Sequence, residues 1–293
     1  MSLQEIEEHI IGIIQLVEYQ RLETCLGLSS AVILVYDYIV TFDLEVSLIW
    51  SHHSGWTWTS ILFMFNRYLP FLSTANSLWH GFTSGLTLDA CEQSFQVTGW
   101  LFLATITTAE IILTIRTWAV WQRNRTLTIV VSIVFVAVWG PNIAIMWIFL
   151  KSMEFGPIPY PGYQGCNIVK SSQIMAVTWA LLVVYETVIF ILMACRGYIS
   201  YCNGGNSALF NVVYREGVVY YFYLFVLSLV NIIVISSHPR YIFILASSEH
   251  AIHAILASRM ILPIRELASR DPFSSWELST TGSSENYARP YQV

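Results

Sequence analysis

The stretch LTIVVSIVFVAVWGPNIAIMWIFL, Leu127 to Leu150, holds no Asp, Glu, Lys or Arg. A helix of that length outreaches the roughly 30 Å hydrocarbon core of a bilayer, so the stretch reads as a membrane span. Gly140 and Pro141 near its middle are expected to kink it. Working outward, comparable stretches run from about Cys25 to Phe42, Trp58 to Trp79, Ser94 to Trp118, Ser171 to Cys195 and Glu216 to Ser237. A seventh, about Tyr241 to Ile264, is the least apolar, because it carries Glu249, His250, His253 and Arg259. The connections are short, and lipid offers no partner to bare backbone groups, so every span is expected to be helical. The fold class that follows is all-α: a polytopic membrane protein, a seven-transmembrane-helix bundle.

Composition points the same way. The 293 residues are 55% hydrophobic and 11% charged, where soluble domains carry roughly 25% charged residues, and an aqueous globule is thereby excluded. A formal net charge of -5 argues against a nucleic-acid partner, which needs a basic patch. The lipid bilayer is the expected partner, together with an unknown ligand and a cytoplasmic signalling partner. No repeat of solenoid period, nucleophile elbow, phosphate-cradling glycine loop or kinase signature occurs, and no resident cofactor is implied.

Three regions are expected. Residues 1–24 place Ile6, Ile10, Ile13, Ile14 and Val17 opposite Glu5, Glu8, Gln15 and Glu18, the pattern of an amphipathic interfacial helix. The acidic start lacks the features of a cleavable signal, so this segment is expected to be retained. Residues 25–264 form the seven-helix domain, and 265–293, rich in Ser, Thr and Pro from Asp271 onward, form a disordered cytoplasmic tail.

Seven spans put the two ends on opposite faces. One face holds Arg21, Lys151, Lys170 and Arg240; the other holds Arg116, Arg123, Arg125, Arg196, Arg215, Arg259, Arg265, Arg270 and Arg289. The positive-inside rule then sets the N-terminus outside and the C-terminus in the cytoplasm, with the plasma membrane as the expected location. The sequon at Asn124 falls on the cytoplasmic side and is expected to stay unmodified. Cys91 and Cys166 fall outside, where disulfides persist, and a bridge between them would staple the loop after the fourth span to the top of the third. Cys195 and Cys202 are expected to be reduced near the cytoplasmic face.

Ionisable groups are costly inside a bilayer and default to paired or functional roles. Asp37 and Arg67 are equidistant from the turn near His52, His53 and Gly55, which sets them at similar depth on antiparallel helices and predicts an ion pair. Asp43 and Glu45 offer Arg67 alternative partners. Exchanging the charges at 37 and 67 is expected to restore in part what a single substitution loses. Glu110 and Glu186 are the remaining deep acids, able to line a cavity or relay protons. Glu249 and His253, four apart on one helix face, and His250 beside them are possible zinc ligands. A third imidazole from His80 or His238 requires a depth that both lack, and a satisfied polar face is the simpler reading of this segment. Trp56, Trp58, Trp79, Trp118 and Trp121 recur near span ends as an aromatic belt does.

The string Tyr36-Asp37-Tyr38, Thr41-Phe42-Asp43, Glu45-Val46, Ile49-Trp50 and Asn66-Arg67-Tyr68-Leu69-Pro70 resembles the N-terminal signature of a large fungal family of multi-pass membrane proteins defined by a domain of unknown function. The resemblance covers about Leu26 to Leu72. Ser258-Arg259-Met260-Ile261-Leu262 with Ile264-Arg265-Glu266 is similar to the segment closing many members, with Pro263 interrupting the usual run. The resemblance implies a seven-helix, receptor-like protein and names no ligand. The layout is similar to that of G-protein-coupled receptors, although Arg116 lacks the preceding acid of the best-known class and the last span has no Asn-Pro-x-x-Tyr string. The alternative is a zinc-dependent intramembrane lipid or amide hydrolase, similar in layout to seven-helix ceramidase-like families and dependent on His250 and His253.

Overall fold

The computed structural model describes residues 3–50, 58–121, 124–157, 163, 165–202, 217–237 and 244–270. Among these, seven α-helices follow one another: α1 (Leu3–Glu45), α2 (Trp58–Phe82), α3 (Leu88–Val120), α4 (Arg125–Ser152), α5 (Met175–Cys202), α6 (Gly217–Ser237) and α7 (Ala246–Arg270). A π-helical turn, Val46–Trp50, extends α1, and two short strands, β1 (Glu154–Gly156) and β2 (Asn167–Lys170), pair antiparallel between α4 and α5.

The amphipathic segment expected over 1–24 is not a separate element. Its helix runs without a break into the first apolar stretch, giving 43 continuous α-helical residues, since no Pro interrupts the register. The seventh helix starts at Ala246, later than expected, and continues to Arg270, into what the sequence reads as tail. The turn with His52, His53 and Gly55, and with it Trp56, lies outside the described residues, as do Arg215, His238, Arg240 and the tail 271–293.

Pattern explains which faces meet. On α5, Trp179, Leu182, Tyr185, Ile189 and Met193 recur every three or four residues and are buried together. On α4, Val138, Asn142, Met146 and Phe149 do the same, with Val131 two turns before them. The opposite faces are equally apolar: Ile39 is 67% exposed and Val136 69%, with Ile133, Val184 and Ile233 exposed beside the same kind of neighbours. A water-soluble protein does not leave apolar surface of this extent uncovered. Five helices, within Ile10–Trp50, Leu88–Val120, Arg125–Ser152, Met175–Ile199 and Val218–Ser237, are long and apolar enough to cross a membrane. This is the construction of a membrane-embedded protein. The other two, α2 and α7, are more polar and bury Asn66, Arg67 and His80 on α2, and Glu249, His250, His253 and Ser258 on α7.

The helices close a ring in chain order. Each packs on its neighbours in sequence, and α7 returns to α1 while also touching α2 and α3; α3 reaches across to α5. Gly140 and Pro141 lie inside an unbroken α4, and Pro70 inside an unbroken α2. Pro70 has no N–H for the carbonyl of Asn66, a gap that transmembrane helices tolerate where neighbouring groups satisfy the freed backbone. Asn124 caps α4, its side chain accepting from the amides of Thr126 and Leu127.

One end of the ring is capped by the strand pair. A disulfide joins Cys91 on the first turn of α3 to Cys166 beside β2, across a sequence separation of 75. Gly165, next to it, has φ +87° and donates its amide to the Thr83 carbonyl at 3.0 Å. A Cβ there would stand 3.1 Å from the Gly81 carbonyl oxygen, a backbone atom with no freedom to withdraw. Gly165→Ala is therefore expected to lower stability by about 1–3 kcal/mol, read as a lower melting temperature of the purified protein. A melt unchanged from wild type would show that this segment does not hold the cap. The exposed Lys170–Glu154 pair at 2.9 Å adds little to it.

Candidate functional site

Three polar features are built on this frame, at different heights along the bundle. The lowest lies where α1, α2 and α7 meet. Arg67, 4% exposed, bonds Asp37 Oδ2 through Nη1 at 2.7 Å and Glu45 Oε2 through Nε at 3.2 Å. Its Nη2 donates to the Tyr38 carbonyl at 3.3 Å and to the Thr41 hydroxyl, and the guanidinium lies over the Tyr38 ring. The second Asp37 oxygen accepts from Arg259 Nε of α7 at 2.5 Å. Glu45 Oε1 accepts from Tyr68 at 2.7 Å and from the Trp50 indole at 3.2 Å. The π-helical turn supplies that last contact, because wider winding brings a residue five positions on back over Glu45.

Asp37, Glu45 and Arg67 are thus brought together, with Arg259 as a fourth member that the sequence reading had not joined to them. Asp43 is not among them. It is exposed, since the helical register that turns Asp37, Thr41 and Glu45 inward points Asp43 outward. The network also removes the expected rescue by charge exchange. An arginine at 37 would face Arg259, and an aspartate at 67 would face Glu45, so the exchanged variant places like charges in contact.

The second feature sits mid-bundle between α3, α5, α6 and α7. Its centre is His253, fully buried. Nδ1 lies 3.5 Å from Glu110 Oε1 of α3; Nε2 lies 3.2 Å from Glu186 Oε1 of α5 and 3.8 Å from Glu249 Oε1 of its own helix. Ser228 of α6 donates to Glu249 Oε1 at 2.6 Å, and its hydroxyl is 3.0 Å from Glu186 Oε1. Asn231 Nδ2 donates to the other Glu249 oxygen. Both Glu110 oxygens, Glu186 Oε2 and both His253 ring nitrogens have no hydrogen-bond partner.

The expected trio of Glu249, His250 and His253 does not converge. His250 lies about 100° round the helix from Glu249 and faces α2 and α3, where Nε2 is 3.3 Å from the Ser73 hydroxyl and the ring stacks on Phe102 with centroids 4.8 Å apart. His80 is at the capped end, bonded to Ser94 at 2.9 Å, and is no third ligand there. The residues that do converge on His253 are Glu110 and Glu186, deep acids that the sequence marks individually and has no means of bringing together.

The third feature is a cavity of about 130 Å³ at the capped end. It lies between α1, the end of α2 and the disulfide-tied segment, with Glu23, Gln20, Ser77, His80, Asn167 and Ser247 supplying polar atoms. A benzene-sized molecule fits a cavity of about 150 Å³. On α1 the 14 residues from Glu23 to Asp37 correspond to about 21 Å along the axis, so cavity and ion-pair network occupy opposite ends.

α7 is common to all three. Asn66 of α2 donates to the Ala254 carbonyl at 2.8 Å and to Ser258 at 2.9 Å, filling the interval between His253 and Arg259; Ser248 meets Ser30 at 3.1 Å above them. The belt residues behave as amphipathic side chains do at an interface: Trp58 and Trp79 are exposed, while the Trp118 and Trp121 indoles donate to Thr128 and to the Leu192 carbonyl.

Compared with known proteins, residues 25–72 match a family of unknown function, DUF6533. The match covers α1 from Cys25 through the π-helical turn and into α2 past Pro70, and so includes Asp37, Glu45 and Arg67. No curated protein matches the chain.

Proposed function

We propose that this is a seven-helix, receptor-like membrane protein in which a small ligand at the capped end biases the packing of α7 and thereby the ion-pair network at the other end. The observation that carries the reading is the geometry of α7, which bears polar contacts from Ser248, close to the cavity, through Glu249, His253 and Ser258 to Arg259 on Asp37. The closed ring, in which α2 and α7 pack among the five apolar helices, supports seven crossings. The disulfide supports a reading in which the capped end faces outside, because such bridges persist in oxidising compartments. The N-terminus is then outside, and the network of Arg67 and Arg259 faces the cytoplasm at the plasma membrane, where a signalling partner would read it. Transduction needs a bistable element, and in this reading Asp37, held by arginines from α2 and α7, serves as one.

The test is a screen of small polar aromatic molecules for thermal stabilisation of the protein in lipid nanodiscs. A ligand is expected to raise the melting temperature of the wild type and to change hydrogen exchange around residues 37–50. Gly27→Trp, which fills the cavity from a position open to it, is expected to abolish both effects. Turnover of a ceramide-type amide by the purified protein, lost in His253→Gln, would overturn the receptor reading in favour of the hydrolase.

A further inference from the structure

We propose that Glu110, Glu186 and His253 bind one divalent first-row metal ion in the middle of the bundle, clamping α3 and α5 to α7. The three side chains come from three helices, and one donor atom from each lies within 4.8 Å of the other two. In a tetrahedral shell with bonds of about 2.0–2.1 Å the donors stand about 3.3 Å apart. Glu110 faces Nδ1 of His253 at 3.5 Å and Glu186 faces Nε2 at 3.2 Å, so an ion seated on one ring nitrogen has one carboxylate beside it and draws the other in from within 4.8 Å.

Two independent observations meet on the same residues. One is convergence of the donors. The other is that both oxygens of Glu110, Oε2 of Glu186 and both ring nitrogens of His253 are buried without a hydrogen-bond partner. Buried polar groups left in this way are rare and call for something to fill their bonding capacity. Glu249 differs from the trio, since Ser228 and Asn231 already satisfy both of its oxygens. It stands beside the site as a fixed negative charge, 3.8 Å from His253 Nε2. The cations Arg67 and Arg259 are engaged by Asp37 and Glu45 at the other network.

Donor chemistry sets the class of ion. One imidazole and two carboxylates suit Zn²⁺ or Mn²⁺; the absence of thiolate from the set disfavours Cu⁺. Three protein ligands leave a fourth position for water or for Glu249. The proposal is independent of the ligand cavity, so a failed ligand screen leaves it standing, and the converse also holds.

The full chain, purified in mild detergent and stripped with a chelator, is dialysed against Zn²⁺ or Mn²⁺ and its bound metal measured. About one ion per chain of at least one of the two is expected, with a melting temperature that rises with its concentration. Glu110→Gln and Glu186→Gln keep side-chain size, and each is expected to raise the dissociation constant at least tenfold, while His250→Gln leaves it unchanged. Should the glutamine variants fail to fold, X-ray absorption of the loaded wild type decides: one imidazole among oxygen donors is expected. Failure to bind either ion, binding unchanged in both glutamine variants, or a sulfur donor in the shell would each overturn the site.

Discussion

Arg67→Ala is expected to lose about 3–5 kcal/mol of stability, the largest effect of any single substitution in the α1–α2 pair. The guanidinium joins Asp37 and Glu45, both nearly inaccessible, and also serves Thr41 and the Tyr38 carbonyl. Truncation leaves Glu45 with only the neutral donors of Tyr68 and Trp50, and Asp37 with only Arg259. Removing one member of a buried pair is severe because the survivor stays desolvated. Arg67→Lys should recover part of the loss, since one ammonium cannot reproduce the fork that reaches two carboxylates. Exchanging Asp37 and Arg67 should do no better than the single substitutions, for the like-charge contacts already described. Unfolding in detergent, followed by helical signal against temperature or denaturant, checks all three. Wild-type stability in Arg67→Ala, or recovery in the exchanged variant, would show that the four charges do not act as one unit.

Breaking the Cys91–Cys166 bridge is the second large effect. A crosslink spanning 75 positions restricts the unfolded chain by about 4.5 kcal/mol on loop-closure entropy. That figure is an upper bound here, because α3 and α4 lie inside the loop and helices in a bilayer are partly ordered before they pack. The Cys91→Ala, Cys166→Ala variant is accordingly expected to lose about 2–4 kcal/mol. The loss should be concentrated at the cap, so limited proteolysis should cut first between Ser152 and Lys170. Ligand binding at the adjacent cavity, lined in part by Cys166 itself, should fall with it. A double variant that melts and resists protease like the wild type would show that the strand pair and Gly165 hold the cap unaided.

Much of this was legible in the chain, at a level set by physics that is local to a segment. Leu127 to Leu150 cannot sit in water, and Glu110 cannot sit in lipid without a partner; both statements hold whatever the other helices do. Asp37 and Arg67 could be matched because a short turn between adjacent antiparallel helices fixes their relative depth. Cys91 and Cys166 could be matched because topology places both on one side of the membrane.

Joining Arg259 to Asp37, or Glu110 and Glu186 to His253, requires the rotation of each helix about its axis and the ring order of the bundle. Neither is local. In lipid the outward face of a helix is as apolar as the inward one, as Val136 and Val138 on α4 show, so hydropathy carries little record of which face is buried. The sequence by itself determined that the protein lives in a membrane, which stretches form its apolar helices, though not how far α1 and α7 run, and which polar side chains are expensive there. Only the tertiary structure decided which of those side chains meet, because packing between helices distant in the chain sets their rotation and brings Glu110, Glu186 and His253 to one point.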